Sequence, residues 1–335
     1  MAKKQQKHKN TQFRSFLRKT FIVLLTLGVT LAAAGYLALL MVFKGPSPTF
    51  STLIVGTFME TRRGDKIVHW FYSDDELEAI LNQNGVENST SVTVDNDYDF
   101  NIPEEEKNDL KIIDVSGSTF NGKLMIVRDP SRIQLGVNVL MDNYKNNGFL
   151  VQDYVTAAGA IGGINAGGFD DPNGMGNGSI PQGVVIKDGE LVAGRLTDWG
   201  TIIGFNEKDH LIVGNMTGSQ ALEWGLTDAV TFGPVLIVDG EAVSITGTGG
   251  GLNPRTVIGQ AYDGSILLLV IDGRQTTSLG ASYEDCVKIM LQYGAMNAAN
   301  LDGGSSSVMV YENKIVNHIV SMRSDRTVPT AWLVK

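Results

Sequence analysis

The sequence predicts an α+β fold: a mixed, mainly antiparallel β-sheet domain with a few flanking helices, preceded by one N-terminal transmembrane helix. Three observations predict it. Residues 21–43 run for 23 positions without a charge. From about residue 110 the chain breaks into short apolar runs punctuated by Gly, Asn and Asp. Asp-Gly pairs at 188–189, 239–240 and 263–264 separate such runs, and that dipeptide supplies the positive φ angles that tight hairpins need.

The anchor follows from length and flanking charge. A helix rising about 1.5 Å per residue crosses a hydrocarbon core of roughly 30 Å in about 20 residues. A cleaved signal peptide has a shorter apolar region that ends in small residues, whereas Ala32, Ala33 and Ala34 lie mid-run and leucines resume after them. Residues 1–20 carry seven basic side chains (Lys3, Lys4, Lys7, Lys9, Arg14, Arg18, Lys19) and no acid. The positive-inside rule then places residues 1–20 in the cytoplasm and everything after residue 43 outside. Anionic lipid headgroups are the simplest partner for such a tail.

Beyond the tail the sign reverses. The chain has 27 basic and 36 acidic residues, so residues 21–335 hold 20 against 36, a formal charge of −16. That balance argues against nucleic acid, whose binding needs clustered Lys and Arg. Cys286 is the only cysteine, and a domain of this size can bury a core without disulfides. The expectation is a bacterial cell-envelope protein: tail 1–20, span 21–43, an extracytoplasmic extension or stalk over 44–109, and one domain over 110–335. Removing residues 1–43 is expected to leave a soluble, competent domain.

In the extension, Ser73 and Glu76 fit a capping box for a short helix, with Leu77, Ile80 and Leu81 on one face and Gly85 past its end. Residues 86–109 are polar and acidic and read as a linker or an ordered extension, not as a core. Strands are expected at 111–115, 123–127, 133–137, 161–165, 183–187, 201–205, 235–238, 256–260, 266–271, 300–302 and 308–311. Helices are expected at 139–146, 152–158 and 283–293, the last with Val287, Met290 and Leu291 on one face and Gly294 at its end.

Several chemistries drop out. His8, His69, His210 and His318 show no metal-ligand spacing. No G-x-S-x-G elbow occurs, and the glycines of residues 246–252 lead into Asn253-Pro254 and not into a helix, which excludes a dinucleotide fingerprint. Asp171, Asn173 and Gly176 open like a calcium loop, but Gln182 stands where a bidentate Glu is needed.

What remains are polar groups at the ends of apolar strands. Asn165 is followed by Ala166, Gly167, Gly168 and Phe169, where two glycines allow close backbone approach. Five apolar residues, 267–271, deliver Asp272, Gly273 and Arg274. Residues 298–301 deliver Asp302, then Gly303, Gly304, Ser305, Ser306 and Ser307, a turn able to form an anion-binding nest. Arg255 stands at the entrance of a strand after a glycine loop, a natural fork for a phosphate or carboxylate. Each cluster also has a purely structural reading as a bulge, a surface turn or a cap.

In order along the chain, Asn165-Ala166-Gly167-Gly168-Phe169, Pro181-Gln182-Gly183, Phe232-Gly233-Pro234, Pro254-Arg255-Thr256-Val257-Ile258-Gly259, Asp272-Gly273-Arg274, Asn300-Leu301-Asp302-Gly303-Gly304-Ser305-Ser306 and Arg326-Thr327-Val328-Pro329 resemble the phosphodiester glycosidase family. The resemblance covers about residues 110–335, and the layout is similar to that of membrane-tethered bacterial members. One departure is the additional glycine in Asn165-Ala166-Gly167-Gly168-Phe169, where the family has an Asn-Ala-Gly-Phe-Phe type of element; this bears on pocket shape.

The resemblance implies hydrolysis of the bond between a sugar's anomeric carbon and an esterified phosphate, such as an N-acetylglucosamine-1-phosphate linkage in envelope glycopolymer or exopolysaccharide. It implies Asp302 as nucleophile or base, with Asp272 as second choice. Arg255, helped by Arg274 or Arg326, would offset phosphate charge, and Asn165 would hold a sugar substituent. Gly167, Gly168, Phe169, Gly303, Gly304, Ser305 and Ser306 would line the substrate site. Two other readings stand beside it: a non-catalytic glycan-binding or scaffold module, and a phosphodiesterase cutting the P–O bond. No cofactor is expected, a divalent metal being the one open alternative. The oligomeric state is not legible.

Overall fold

The computed structural model describes the backbone except at residues 1, 62–63, 88–91, 94–99, 139–146, 172–175 and 320–325, and describes side chains from residue 13 onward. The helix expected at 139–146 lies outside the described residues. Four helices come first: α1 (Ala2–Lys44), α2 (Pro48–Met59), α3 (Gly64–Val68) and α4 (Asp74–Asn82). There follow β1 (Leu110–Ser116), β2 (Asn121–Val127), β3 (Ile133–Val137), α5 (Val151–Ala158), β4 (Gly162–Asn165), β5 (Val185–Lys187) and β6 (Glu190–Ala193). Next come β7 (Trp199–Asn206), β8 (Leu211–Thr217), α6 (Gly218–Glu223), β9 (Leu226–Phe232), β10 (Val235–Val238) and β11 (Glu241–Ala242). The chain closes with β12 (Arg255–Ala261), β13 (Ile266–Ile271), α7 (Tyr283–Gln292), β14 (Ala295–Leu301), β15 (Met309–Tyr311), β16 (Lys314–Ile315) and β17 (Thr330–Val334).

The strands form three sheets, in the orders β1-β2-β13-β12-β14-β10-β11, β16-β15-β4-β17-β3 and β6-β5-β9-β7-β8. Every ladder between these strands is antiparallel, which bears out the mainly antiparallel expectation. The Asp-Gly hairpins form as expected: Asp188 and Gly189 join β5 to β6, and Asp239 and Gly240 join β10 to β11, all four at positive φ.

The unbroken apolar run of β13 is explained by burial on both faces. Side chains alternate across a strand, so Ile266, Leu268 and Val270 enter the central core, where all three sheets meet. Leu267, Leu269 and Ile271 face the other way and pack with Cys286, Val287 and Met290 of α7. Trp332 of β17 fills the centre, fully buried and edge-on to Phe205 at 5.3 Å. Each such side chain contributes roughly 1.5–3 kcal/mol by leaving water.

Register then decides where the polar strand ends meet. β12 lies between β13 and β14, with Arg255 opposite Ile271 and Thr256 opposite Leu301. The start of β12 therefore coincides with the ends of both neighbours. Arg255, Asp272 and Asp302 emerge along one sheet edge.

After the apolar run, α2, α3 and α4 form a collar. Ser47 caps α2, its hydroxyl accepting from Phe50 N–H at 3.3 Å, and Pro48 takes the first turn, where its missing N–H costs nothing. The Ser73–Glu76 capping box of α4 is present as expected. Phe43, Val55, Val68 and Leu77 form a small core of their own. Phe43 is fully buried there, so a cut after residue 43 would remove part of the collar's core along with the apolar helix.

The collar docks on the glycine loop that sequence composition could not explain. Gly251 has φ +79°, and a Cβ there would lie 2.4 Å from the Thr57 backbone nitrogen. Leu252 N–H donates to the Thr57 hydroxyl at 2.9 Å, and Thr248 N–H donates to Asn84 Oδ1 at 3.0 Å. Gly251→Ala adds both a clash and an unfavourable φ, and is expected to lower the unfolding free energy by about 1–3 kcal/mol. Urea denaturation of the variant beside the wild type checks this; an unchanged midpoint would show that α2 is not docked here.

Candidate active site

Asp302 leaves β14 beneath a turn that only glycine permits. A Cβ at Gly303 would sit 2.8 Å from the Pro254 carbonyl, and Gly304 has φ +63°. The Asp302 N–H donates to the Ala166 carbonyl at 3.1 Å, and Gly304 N–H donates to the Pro254 carbonyl at 3.0 Å. The chain then winds through a short 3-10 turn over Gly304–Ser306.

Below this turn lies Asn165, with no exposed surface. Its amide donates to the Asp302 carbonyl at 2.6 Å, while its side-chain oxygen accepts from the Thr256 hydroxyl at 3.0 Å and Val308 N–H at 3.1 Å. The structure thus places Asn165 as a brace under Asp302 and not at a surface facing a sugar. Gly167 and Gly168 are likewise committed to packing: a Cβ would meet Val230 at 2.9 Å and the Phe232 ring at 2.7 Å.

The Asp302 carboxyl is pushed up to about 6, first by burial, against the opposing pull of the Ser306 hydroxyl, Arg326 and the Gly303 N–H, with Asp171 adding to the rise. Its Oδ2 is buried without a hydrogen-bond partner. Arg326 lies over the Phe169 ring at 4.9 Å and pairs with Asp171 at 2.5 Å, and its Nε is also buried and unpartnered. Asp171 Oδ1 further accepts from Gly176 N–H, so this carboxylate serves Arg326 and the Gly176 backbone, while Asn173 of the calcium-loop pattern lies outside the described residues. Arg274 donates to the Glu60 carbonyl at 2.9 Å and to Asn253 Oδ1 at 3.1 Å. Its guanidinium passes 3.4 Å from where a Gly304 Cβ would stand, and its Nε has no partner.

Two expected groups are already committed. All three nitrogens of Arg255 are engaged: Nε with the Ala281 carbonyl, Nη1 with the Glu60 carboxylate at 3.0 and 3.1 Å, and Nη2 with the Gly250 and Gly251 carbonyls. The guanidinium also stacks on Tyr283 at 4.0 Å, and the residue is only 3% exposed. Asp272 accepts from Asn317 Nδ2 at 3.2 Å and His318 N–H at 2.9 Å, beside the His318 ring at 3.3 Å. Both are buried props of the sheet edge as they stand. Sequence reading missed Glu60, which lies 195 positions from Arg255 and carries no local signal. It also missed Asp171 as a partner of Arg326.

The family model described as phosphodiester glycosidase matches residues 158–335. Among curated proteins, the SPbeta prophage-derived protein YomE of Bacillus subtilis (strain 168) is 32% identical over 167 residues, which is 47% of this chain and 25% of that protein. The match therefore spans about a quarter of that relative's length. Among solved structures, the zebrafish N-acetylglucosamine-1-phosphodiester α-N-acetylglucosaminidase catalytic domain, auto-inhibited by its pro-peptide, superposes with a TM-score of 0.56. It is 21% identical and is matched over 75% of this chain and 86% of that one, a likeness of fold.

The raised Asp302 carboxyl has a consequence for stability. The folded chain keeps this proton at pH values where the unfolded chain, near 3.8, has lost it. Its contribution is full below about pH 4 and is lost as pH rises through about 6. Asp302→Asn is therefore expected to be more stable than wild type at pH 7.5, by on the order of 2 kcal/mol, and to lose that advantage at pH 4. Urea midpoints at the two pH values check it; a variant less stable at pH 7.5 would contradict the burial argument.

Proposed function

We propose that this chain, which belongs to the phosphodiester glycosidase family, hydrolyses the bond between a sugar's anomeric carbon and an esterified phosphate in a cell-envelope glycopolymer. One observation carries the reading. The half-buried Asp302, at the start of a glycine turn, keeps one oxygen, Oδ2, without a hydrogen-bond partner, and the charge of the Arg326 guanidinium acts on its carboxyl. An N-acetylglucosamine-1-phosphate linkage is the substrate class favoured by the name of the zebrafish relative.

The chemistry follows from charge. The C1–O bond breaks and its electron pair leaves on the phosphate oxygen, so negative charge grows there and oxocarbenium character grows on the sugar. Arg326 and Arg274 take the role first expected of Arg255, since each keeps an unused Nε and a fixed cation stabilises the departing phosphate without reorganisation. Water adds to C1 and gives its proton to the Asp302 carboxylate. The products are a free sugar and a phosphomonoester. Phe169, under Arg326, holds the guanidinium flat, and Asn165, Arg255 and Asp272 hold the scaffold. The helix over Phe13–Lys44 is long and apolar enough to cross a membrane; with the basic tail cytoplasmic, it would tether this site on the outer face.

Incubation with a panel of sugar-1-phosphodiesters tests the proposal. Free sugar and phosphomonoester are expected, with Asp302→Asn lowering kcat by about 10²–10⁴. Release of a sugar phosphate would mean that the P–O bond is cut instead. Binding without turnover would make the chain a glycan-binding module.

A further inference from the structure

The last turns of α1 are gripped by the collar. Tyr36 stacks on Phe71 with ring centroids 5.8 Å apart, and Phe43 stacks on the same ring at 5.0 Å. Phe58 meets Phe43 edge-on at 5.4 Å. The Ser51 hydroxyl donates to the Val42 carbonyl at 3.3 Å, and the Tyr72 hydroxyl donates to the Phe43 carbonyl. Lys44 closes the joint, 3.7 Å over the Tyr72 ring and 3.1 Å from the Glu76 carboxylate.

Length turns this grip into a statement about depth. Tyr36 lies roughly 10 Å before Phe43 along the helix axis. If the span runs to Phe43, Phe71 reaches about 10 Å below the edge of the hydrocarbon. If the span ends at Tyr36, the uncharged run left to cross is only about 24 Å long, short of the roughly 30 Å required. Between these limits Phe71 and its neighbours meet the boundary between lipid and water. The outward groups there are of the kind that boundary selects: Trp70 is 69% exposed and Phe50 is 48% exposed, and an aromatic ring at headgroup depth is favourable where it is costly in water.

We infer that the part of the collar next to α1, formed by α2, α3 and residues 69–72, is seated in the interfacial layer of the bilayer, with Trp70 and Phe50 as its lipid-facing anchors. The inference rests on α1 being a retained anchor. The same collar ends α2 at Glu60, which holds Arg255 by its carboxylate and Arg274 by its carbonyl. α2 is 12 residues long, roughly 18 Å, so the seat sets the distance of both arginines from the membrane.

The test uses the full chain in lipid nanodiscs. Cys286 is fully buried, so Trp70→Cys offers one accessible thiol for a nitroxide label. Tyr262→Cys, 61% exposed just beyond the far end of β12, is the control, and Phe50→Cys repeats the measurement on α2. Collision of the label with oxygen is compared with collision with a water-soluble nickel chelate. The oxygen-to-nickel ratio is expected to be several-fold higher at 70 and 50 than at 262. Equal ratios at all three sites would overturn the inference, whatever the glycosidase assay shows. Mass spectrometry of the reconstituted chain separates the premises: a chain cut before residue 44 overturns the anchor and the seat together and leaves the proposed hydrolysis untouched.

Discussion

The site depends on one buried amide. Asn165 ends a strand of one sheet, and its side chain reaches Thr256 of the seven-stranded sheet, the backbone at Val308 and the carbonyl of Asp302. Such a group is costly inside a protein unless its polar atoms are matched, and here both its oxygen and its nitrogen are. Two sheets that meet mainly through apolar contacts are thereby fixed at the point where Asp302 leaves β14. Removing the amide would leave the Thr256 hydroxyl and the Val308 N–H without their acceptor, and Asp302 without its brace.

Around that joint the fold spends stability on a charge. Asp302 is held where burial opposes its ionisation, and Arg255 is held where Glu60, backbone carbonyls and the Tyr283 ring offset a buried guanidinium. Removing one member of such a pair costs more than the pair contributes. This ties the collar to the sheet edge: Glu60 comes from the collar, and the glycines at 250 and 251 bring its helix close enough to pair.

Much of this was legible in the residues, and the limits have physical causes. The β13 run, the Asp-Gly hairpins and the capping box at Ser73 are local signals, and the structure contains each. The Asp302 turn was legible because its glycines and strand-end acid are contiguous. By contrast β14 carries the sequence AMNAANL, whose alanines have little strand propensity, so only its last residues were foreseen. β8, β9, β16 and β17 were missed, as was α6, and α2 was hidden by β-branched residues after Pro48. The roles within the site depend on long-range contacts. Nothing near Arg255 or Asp272 announces that Glu60, or Asn317 and His318, will occupy them, and a strand-end charge reads the same whether it is free or paired.

If Asp302 takes the proton of the attacking water, its ionisation must govern the rate. A phosphodiester does not itself titrate near neutrality, so the pH dependence of kcat/KM on a sugar-1-phosphodiester reports the enzyme's groups. The expected profile rises with pH and reaches half its plateau near 6, the value to which burial raises this carboxyl. A rate that stays flat from about pH 5 to 8, or falls through 6, would contradict the assignment of Asp302 as the base.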